Sequence, residues 1–475
     1  VVGAPAEAAG RNFYVDCNAG KDGNNGRSGG SAFKTLGRVN NVELRAGDRV
    51  LLKRGCTWSG GQRLDLVESG TAGNPIVVGT YGSGARPRIH NGKNQGVKVT
   101  GSHILIKKIH VTFGVSATRT VNGCAQPFGS YYGVNFTGGA HHVTLQDSLI
   151  EHANAGVHVS ANSHHITVQR NKLHNNDVMN VFGGNPNKDL GAWGILVRSD
   201  DNEIAHNEFK NNRAPCANGA GRIHSNSVEI FEGQRNYIHH NKSYGDRVFS
   251  ELGGSSAQKA ADNVFEFNLH HSNMVDARFI TTRGGGTQWG PVWRTVAEHN
   301  TVHLTGNGSV AVSCGEGCSA NILTLRGNIL TGVDKALYAD AAFDEADNVY
   351  WNPRGSTTRI QHASTNKRHA PSTAVLNGSI VADPHLARVT NNNFRPQSWS
   401  RPSTWPTPLR QPPASTSGAG RGCSTARVTP APMRWADTHP IANDRAGSTT
   451  QGQGGQTGEE PSGHDPGGHE PAGHE

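Results

Sequence analysis

The chain has 475 residues, only 34% of them hydrophobic, with 61 glycines and three methionines, a profile that suits an elongated all-β solenoid with a thin continuous core better than a compact α/β enzyme. No apolar run approaches the roughly 18 residues that a membrane span needs. The formal charge of +8 hides an asymmetry: residues 451–475 hold five acids and no Lys or Arg, so residues 1–450 set 45 basic residues against 32 acidic ones, a net +13, which favours a polyanionic partner.

Along the chain, the Ala-rich start Val1–Gly10 reads as a processed N-terminal remnant. Residues 11–60 are expected to form a cap. Phe13-Tyr-Val-Asp is a short strand, Gly20–Ser31 a loop, Thr35–Val42 a short helix and Asp48-Arg-Val-Leu-Leu-Lys53 a second strand. A solenoid needs such a cap because its open first rung leaves backbone groups unpaired. Residues 61–396 are expected to be the solenoid itself, with the repeat fading near residue 385. Apolar alternation marks strands with one buried face. It recurs in Ile76-Val-Val, Gly96-Val-Lys-Val, Gly133-Val-Asn-Phe, Gly156-Val-His-Val, Gly194-Ile-Leu-Val, Ser227-Val-Glu-Ile, Ser250-Glu-Leu, Phe279-Ile-Thr-Thr, Val310-Ala-Val and Ala336-Leu-Tyr-Ala.

Between these strands seven short segments end on Asn: Thr167-Val-Gln-Arg-Asn171, Ile204-Ala-His-Asn207, Ile238-His-His-Asn241, Phe265-Glu-Phe-Asn268, Val296-Ala-Glu-His-Asn300, Leu323-Thr-Leu-Arg-Gly-Asn328 and Glu345-Ala-Asp-Asn348. A unit of this length cannot bury its own apolar face and must stack on copies of itself. Each rung then holds at least two strands, and the asparagines are expected to form an internal ladder with no catalytic role. Residues 397–475, rich in Pro, Ser, Gly and His, read as a disordered tail. His464, His469 and His474 belong to that solvated acidic segment.

Seven cysteines in so loop-rich a chain point to an oxidising compartment, hence secretion to the extracellular space. Cys17 with Cys56, Cys124 with Cys216 and Cys314 with Cys318 are candidate pairs among those the spacing allows, with Cys423 left over. Dispersed Lys and Arg, not interleaved with aromatics, speak for an acidic polysaccharide over a nucleic acid. The expected solution state is a monomer.

The N-terminal segment Phe13-Tyr-Val-Asp…Phe33-Lys-Thr-Leu…Gly47-Asp-Arg-Val-Leu-Leu-Lys-Arg-Gly, with Gly79-Thr-Tyr-Gly-Ser-Gly-Ala-Arg-Pro-Arg-Ile, resembles the opening of secreted right-handed parallel β-helix proteins of the pectate-lyase-like class. With the repeat, the resemblance runs from residue 11 to about 385. It implies that fold. That class holds polysaccharide lyases, glycoside hydrolases, epimerases and non-catalytic adhesins, so it leaves the function open.

Aligning the strands that precede the Asn segments separates inward from outward residues, since successive side chains face opposite sides. Inward run Val157/Val159, Ile195/Val197, Val228/Ile230, Ser250/Leu252 and Ile280/Thr282; outward run His158/Ser160, Leu196/Arg198, Glu229/Phe231, Glu251/Gly253 and Thr281/Arg283. Rungs stack at about 4.8 Å, so His158, Arg198, Glu229, Glu251 and Arg283 should share one face over about 20 Å. Like charges directly opposite are destabilising unless compensated, which singles out Glu229 and Glu251 as a candidate site.

Three chemistries fit these residues. In β-elimination on a uronate-containing polysaccharide, Glu229 and Glu251, with Glu232 or Asp246, would hold Ca²⁺. Arg198 or Arg283 would neutralise the uronate, and His158, His224 or Lys242 would serve as base. Ser225-Asn-Ser-Val-Glu-Ile and Thr281-Thr-Arg-Gly-Gly are similar to pieces of the core of alginate-lyase and chondroitinase-B-type polysaccharide lyases; the Asn241-Lys-Ser segment is displaced from that family's base position. Retaining glycoside hydrolysis by Glu229 and Glu251 needs no metal, only carboxyls about 5–5.5 Å apart. A non-catalytic glycan-binding or cell-surface solenoid is the third. The basic body places the lyase ahead of the hydrolase. Trp193, Phe231, Trp289, Trp293, Tyr131 and Tyr132 are candidates for sugar stacking, with the loops Asn180–Trp193 and Gly284–Pro291 as cleft walls.

Overall fold

A computed structural model of the chain describes residues 10–92, 95–115, 118–121, 123–180, 191–217, 223–386 and 394. Three strands make each rung, and the rungs stack into three long sheets of 12, 13 and 12 strands among the described residues. The first sheet opens with Asn12–Val15 and Arg49–Lys53, the second with Thr57–Trp58, the third with Leu64–Leu66. Pairing along the solenoid is parallel, as in Val134↔Val157↔Ile195↔Val228↔Ser250↔Ile280 on the third sheet. Parallel strands joined by crossovers of this kind wind right-handed. The chain is thus a right-handed parallel β-helix, the fold that its opening segment implied.

The third strand of each rung is the one that alternation could not reveal. Second-sheet strands such as Lys172–His174 and Lys242–Tyr244 are three residues long. They send a single side chain, Leu173 or Ser243, into the core. One inward residue has no period.

Each corner is built by a single residue in the left-handed region followed by a ladder residue. At the corner between the first and second sheets, Arg170, His206, His240, Phe267 and His299 have φ between 52° and 57°, and each is followed by an Asn of the repeat. Those asparagines are buried. Asn207 Oδ1 accepts from both the backbone N–H (2.9 Å) and the Nδ2 (3.1 Å) of Asn171, and Asn241 and Asn268 continue the pattern. The Nδ2 groups also donate to strand carbonyls, so buried polar groups are satisfied from rung to rung, as burial demands. The other two corners carry shorter ladders, Asn202–Asn236–Asn263 and Asn176–Asn212–Asp246.

The segment expected to be a cap already belongs to the solenoid: Asn12–Val15 pairs with Arg49–Lys53, and that strand with Ile76–Tyr81. The expected helix is shorter, Leu36–Val39, with Thr35 Oγ1 accepting from Arg38 N at 3.1 Å and Leu36 and Val39 buried. At the far end, antiparallel hairpins (Thr358–His362 with Thr365–His369, Thr373–Ala374 with Ile380–Val381) close the stack. The outer strand Thr365–His369 is short and carries Lys367 and Arg368, which blunt the open edge it presents. Cys17–Cys56, Cys124–Cys216 and Cys314–Cys318 are disulfide-bonded. Cys423 and the expected disordered tail lie outside the described residues. Among the described residues no helix is long and apolar enough to cross a membrane.

Candidate active site on the third sheet

Five successive third-sheet strands carry the candidate residues: Ala155–Val159, Trp193–Val197, Asn226–Phe231, Val248–Gly253 and Arg278–Arg283. Their register sets His158, Leu196, Glu229, Glu251 and Thr281 in one outward row. Glu229 and Glu251 are therefore directly opposite on adjacent rungs. Two residues on, Phe231 pairs with Gly253, and Arg283 lies on the next rung of that second row.

A third row was not legible from alternation. Tyr132, Ala155, Trp193, Asn226, Val248 and Arg278 are in register. Strict alternation would turn Asn226 inward, since it stands three residues before Glu229. Instead Ser227 and Val228 both point into the core, Ser227 Oγ reaching Ser243 Oγ and Asp246 Oδ2 at 2.8 Å each. Two consecutive inward residues leave Asn226 on the outer face, where its Nδ2 donates to the Glu229 carboxyl. The equivalent first inward position on the preceding rung is Gly194, where a Cβ would come within 2.5 Å of the Ser227 carbonyl. The sequence signal was present in Ser225-Asn-Ser-Val-Glu-Ile, but period two assigned its Asn to the wrong side.

The two carboxyls are electrostatically unlike. Burial, and then the facing Glu251, push the Glu229 pKa well above the ordinary carboxylate range, against weaker opposition from Asn226, Arg283 and Trp193. At Glu251 burial also raises the pKa, but Arg283, His224 and Arg278 together outweigh it and leave it below the ordinary value. Arg283 Nη2 donates to Glu251 Oε1 at 2.5 Å, with the guanidinium 8% exposed and the carboxylate 33%. The surroundings therefore favour the proton on Glu229 and the charge on Glu251.

The remaining candidates divide. His224 lies beside Glu251, with its ring edge-on to Trp193 at 6.1 Å. His158 is two rungs from Glu229, stacked under Tyr132 at 4.6 Å with Nδ1 2.9 Å from Asn135 Oδ1. Burial, then Arg198, push its pKa down to about 4. It is a neutral packed imidazole. Arg198 is engaged by Glu232 at 2.8 Å and lies over the Phe231 ring.

Lys242 corrects the sequence expectation. It sits on the second sheet, in Lys242–Tyr244, and is not on this face. The second strand of a rung turns away from the third by a full corner, and sequence proximity does not bridge it. Trp193 and Trp289 are each 6% exposed and wall the face from within its packing: Trp193 packs on Ala155 and Leu196, Trp289 over Gly253. Thr287 in the Gly284–Pro291 segment anchors to Glu316 at 2.7 Å. Of the other proposed wall, residues 181–190 lie outside the described residues. Arg278 and Asn226 are the site residues that sequence reasoning missed.

The donor set does not fit a calcium site. Ca²⁺ takes six to eight oxygen ligands, whereas here a guanidinium already pairs with Glu251. The carboxylates expected to help are engaged elsewhere: Glu232 with Arg198, and Asp246 inside the core against Asn212 and Ser227. Among the described residues, no group of three metal-ligating side chains includes Glu229 or Glu251.

No family model and no curated protein matches the chain. Among solved structures it is similar to the GH136 lacto-N-biosidase from Eubacterium ramulus, at 14% identity and TM-score 0.47, covering 72% of this chain and 64% of that one. It thus spans less than two thirds of that enzyme's length. It is also similar to an alginate lyase from Paenibacillus sp. str. FPU-7 (17% identity, 69% of this chain and 93% of that one, TM-score 0.44) and to the pectate lyase Pel9A (16%, 75% and 77%, TM-score 0.46). Likenesses of this level transfer no chemistry, and the site has to be understood from its own residues.

Proposed function

We propose that the chain is a secreted carbohydrate-active enzyme that cleaves a polysaccharide by retaining glycoside hydrolysis, with Glu251 as nucleophile and Glu229 as acid/base. One observation carries this reading: two carboxyls directly opposite on adjacent rungs in unlike surroundings, Glu229 hydrogen-bonded by Asn226 and Glu251 paired with Arg283, which push their pKa values apart. Retaining hydrolysis needs that division between carboxyls about 5–5.5 Å apart, and neighbouring rungs stand about 4.8 Å apart. Glu229 would protonate the leaving oxygen while Glu251, kept anionic by Arg283, attacks the anomeric carbon. Glu229, now deprotonated, would then take a proton from the water that attacks the anomeric carbon and displaces Glu251 as a free carboxylate. The net charge of +13 over residues 1–450, with Arg278 and Arg283 at the pair, supports an acidic glycan as substrate.

The same cations favour β-elimination on a uronate as a second reading, with His224 as base. A glycan panel assayed with and without chelator separates the two. New reducing ends without the absorbance of an unsaturated uronate, unaffected by chelator, are expected. Appearance of that absorbance would replace hydrolysis by elimination. Retained glycan binding without cleavage would leave a binding solenoid.

A further inference from the structure

At the corner between the first and second sheets, two successive Asn segments, Ile204-Ala-His-Asn207 and Ile238-His-His-Asn241, carry three histidines. His206 and His240 occupy the left-handed position on adjacent rungs, φ 57° and 54°, and their rings stack at 4.9 Å. His239 ends the strand Tyr237–His239 and presents Nδ1 to Nδ1 of His240 at 2.9 Å, with the His206 ring 5.8 Å away. One ligand nitrogen from each imidazole lies within 4.8 Å of the other two. Ligands of a tetrahedral ion bound at about 2.0–2.1 Å stand about 3.3 Å apart, so the His239/His240 pair is nearly at that spacing, and the His206 nitrogen, within 4.8 Å, would have to move inward to complete the third side.

A second observation points the same way. The far nitrogen of His239, Nε2, meets Glu203 Oε1 at 3.1 Å. Metal-ligating histidines are held in this manner, their second nitrogen bound by a carboxylate that fixes ring orientation and tautomer. Tyr237 stacks on His239 at 4.1 Å and Phe267 flanks His240 at 5.1 Å, giving the cluster aromatic walls. His239 is 9% exposed while His206 and His240 are open to solvent, which leaves an entry path and room for a water ligand. The same grouping occurs at the other end of the first-sheet strands, in His103, His141 and His142. There His141 stacks on His164 at 5.0 Å instead of meeting a carboxylate.

We propose that His206, His239 and His240 bind a divalent transition-metal ion of the zinc, copper or nickel type, with Glu203 as the positioning carboxylate. Imidazole donors select such ions over calcium or magnesium. The site ties two adjacent rungs together at a corner of the first sheet, on a different face from Glu229 and Glu251.

The test uses the chelator-stripped full chain, titrated with Zn²⁺ by calorimetry and with Co²⁺ by visible absorption. Wild type is compared with His239→Ala/His240→Asn, Glu203→Gln, His141→Ala/His142→Asn and a tail variant, His464→Ala/His469→Ala/His474→Ala. Asn at position 240 keeps the left-handed turn accessible, and Glu203 is exposed enough that its replacement leaves the fold intact. The expected result is one tight zinc equivalent, with tetrahedral cobalt absorption, that the His239/His240 variant alone loses. Glu203→Gln should weaken it by about 10–100-fold. Absence of a tight equivalent in wild type, its survival in the His239/His240 variant, or its loss with the tail or the His141/His142 variant would overturn the proposal.

Discussion

Arg283→Gln removes the cation that keeps the Glu pair unequal. The guanidinium is almost fully buried and the Glu251 carboxylate one-third exposed, joined at 2.5 Å. Breaking a fully buried ion pair from one side costs about 3–5 kcal/mol. The partial exposure of Glu251 allows water to screen the orphaned charge, so about 2–3 kcal/mol is expected at pH 7. The sign follows from linkage. In wild type the Glu251 pKa is depressed, so its contribution is fully present above the unfolded carboxylate pKa and lost as pH falls through the folded one. In the variant only His224 and Arg278 oppose burial, so the depression shrinks and with it the stability that the Glu251 charge contributes above the unfolded value. The gap between the two proteins should therefore be widest near pH 7 and narrow as pH falls toward 4, closing only below the depressed folded value of Glu251. Urea denaturation followed by tryptophan fluorescence at both pH values reports the difference, since Trp193 and Trp289 pack on this face. An equal loss at pH 4 and pH 7, or a loss at pH 7 below about 1 kcal/mol, would refute the assignment of Arg283 as the counter-charge of Glu251.

Glu229→Gln replaces a carboxyl already held protonated, so stability at pH 7 should be unchanged or improved, while cleavage of any substrate found by the glycan panel should drop about 10²–10⁴-fold; denaturation and initial-rate measurements on one preparation check both. Asp246 ends a ladder in the core, and burial pushes its pKa up to about 6 from 3.8. Stability should fall by about 3 kcal/mol in all as pH rises, about 2 kcal/mol of it between pH 4 and 6, and Asp246→Asn should flatten that part of the stability–pH curve. Asn241→Ala deprives the buried Asn207 N–H and the Ile204 carbonyl of their partners. That change should cost about 2–4 kcal/mol in denaturant midpoint analysis.

Much of the fold was legible because the solenoid repeats its own local rules. Val157, Ile195, Val228 and Ile280 alternate with outward residues, and that alternation yielded the third-sheet register in which Glu229 faces Glu251. The asparagines were legible for a related reason: a left-handed corner followed by a buried amide recurs wherever a rung must turn. What escaped was aperiodic. The three-residue strands of the second sheet have one inward residue each, so Lys242 was placed near the site when a corner separates them. Asn226 and Arg278 escaped because each is followed by two consecutive buried residues, Ser227/Val228 and Phe279/Ile280, which breaks period two where the site lies.

By itself, then, the sequence determined that the chain stacks rungs and that two glutamates share a face, since both follow from backbone periodicity. Only the tertiary structure decided what those glutamates are. Their inequality depends on burial and on His224 and the strand Arg278–Arg283, which brings both arginines, converging on the pair from two different segments, and electrostatic interaction depends on distance in space, which no one-dimensional pattern encodes.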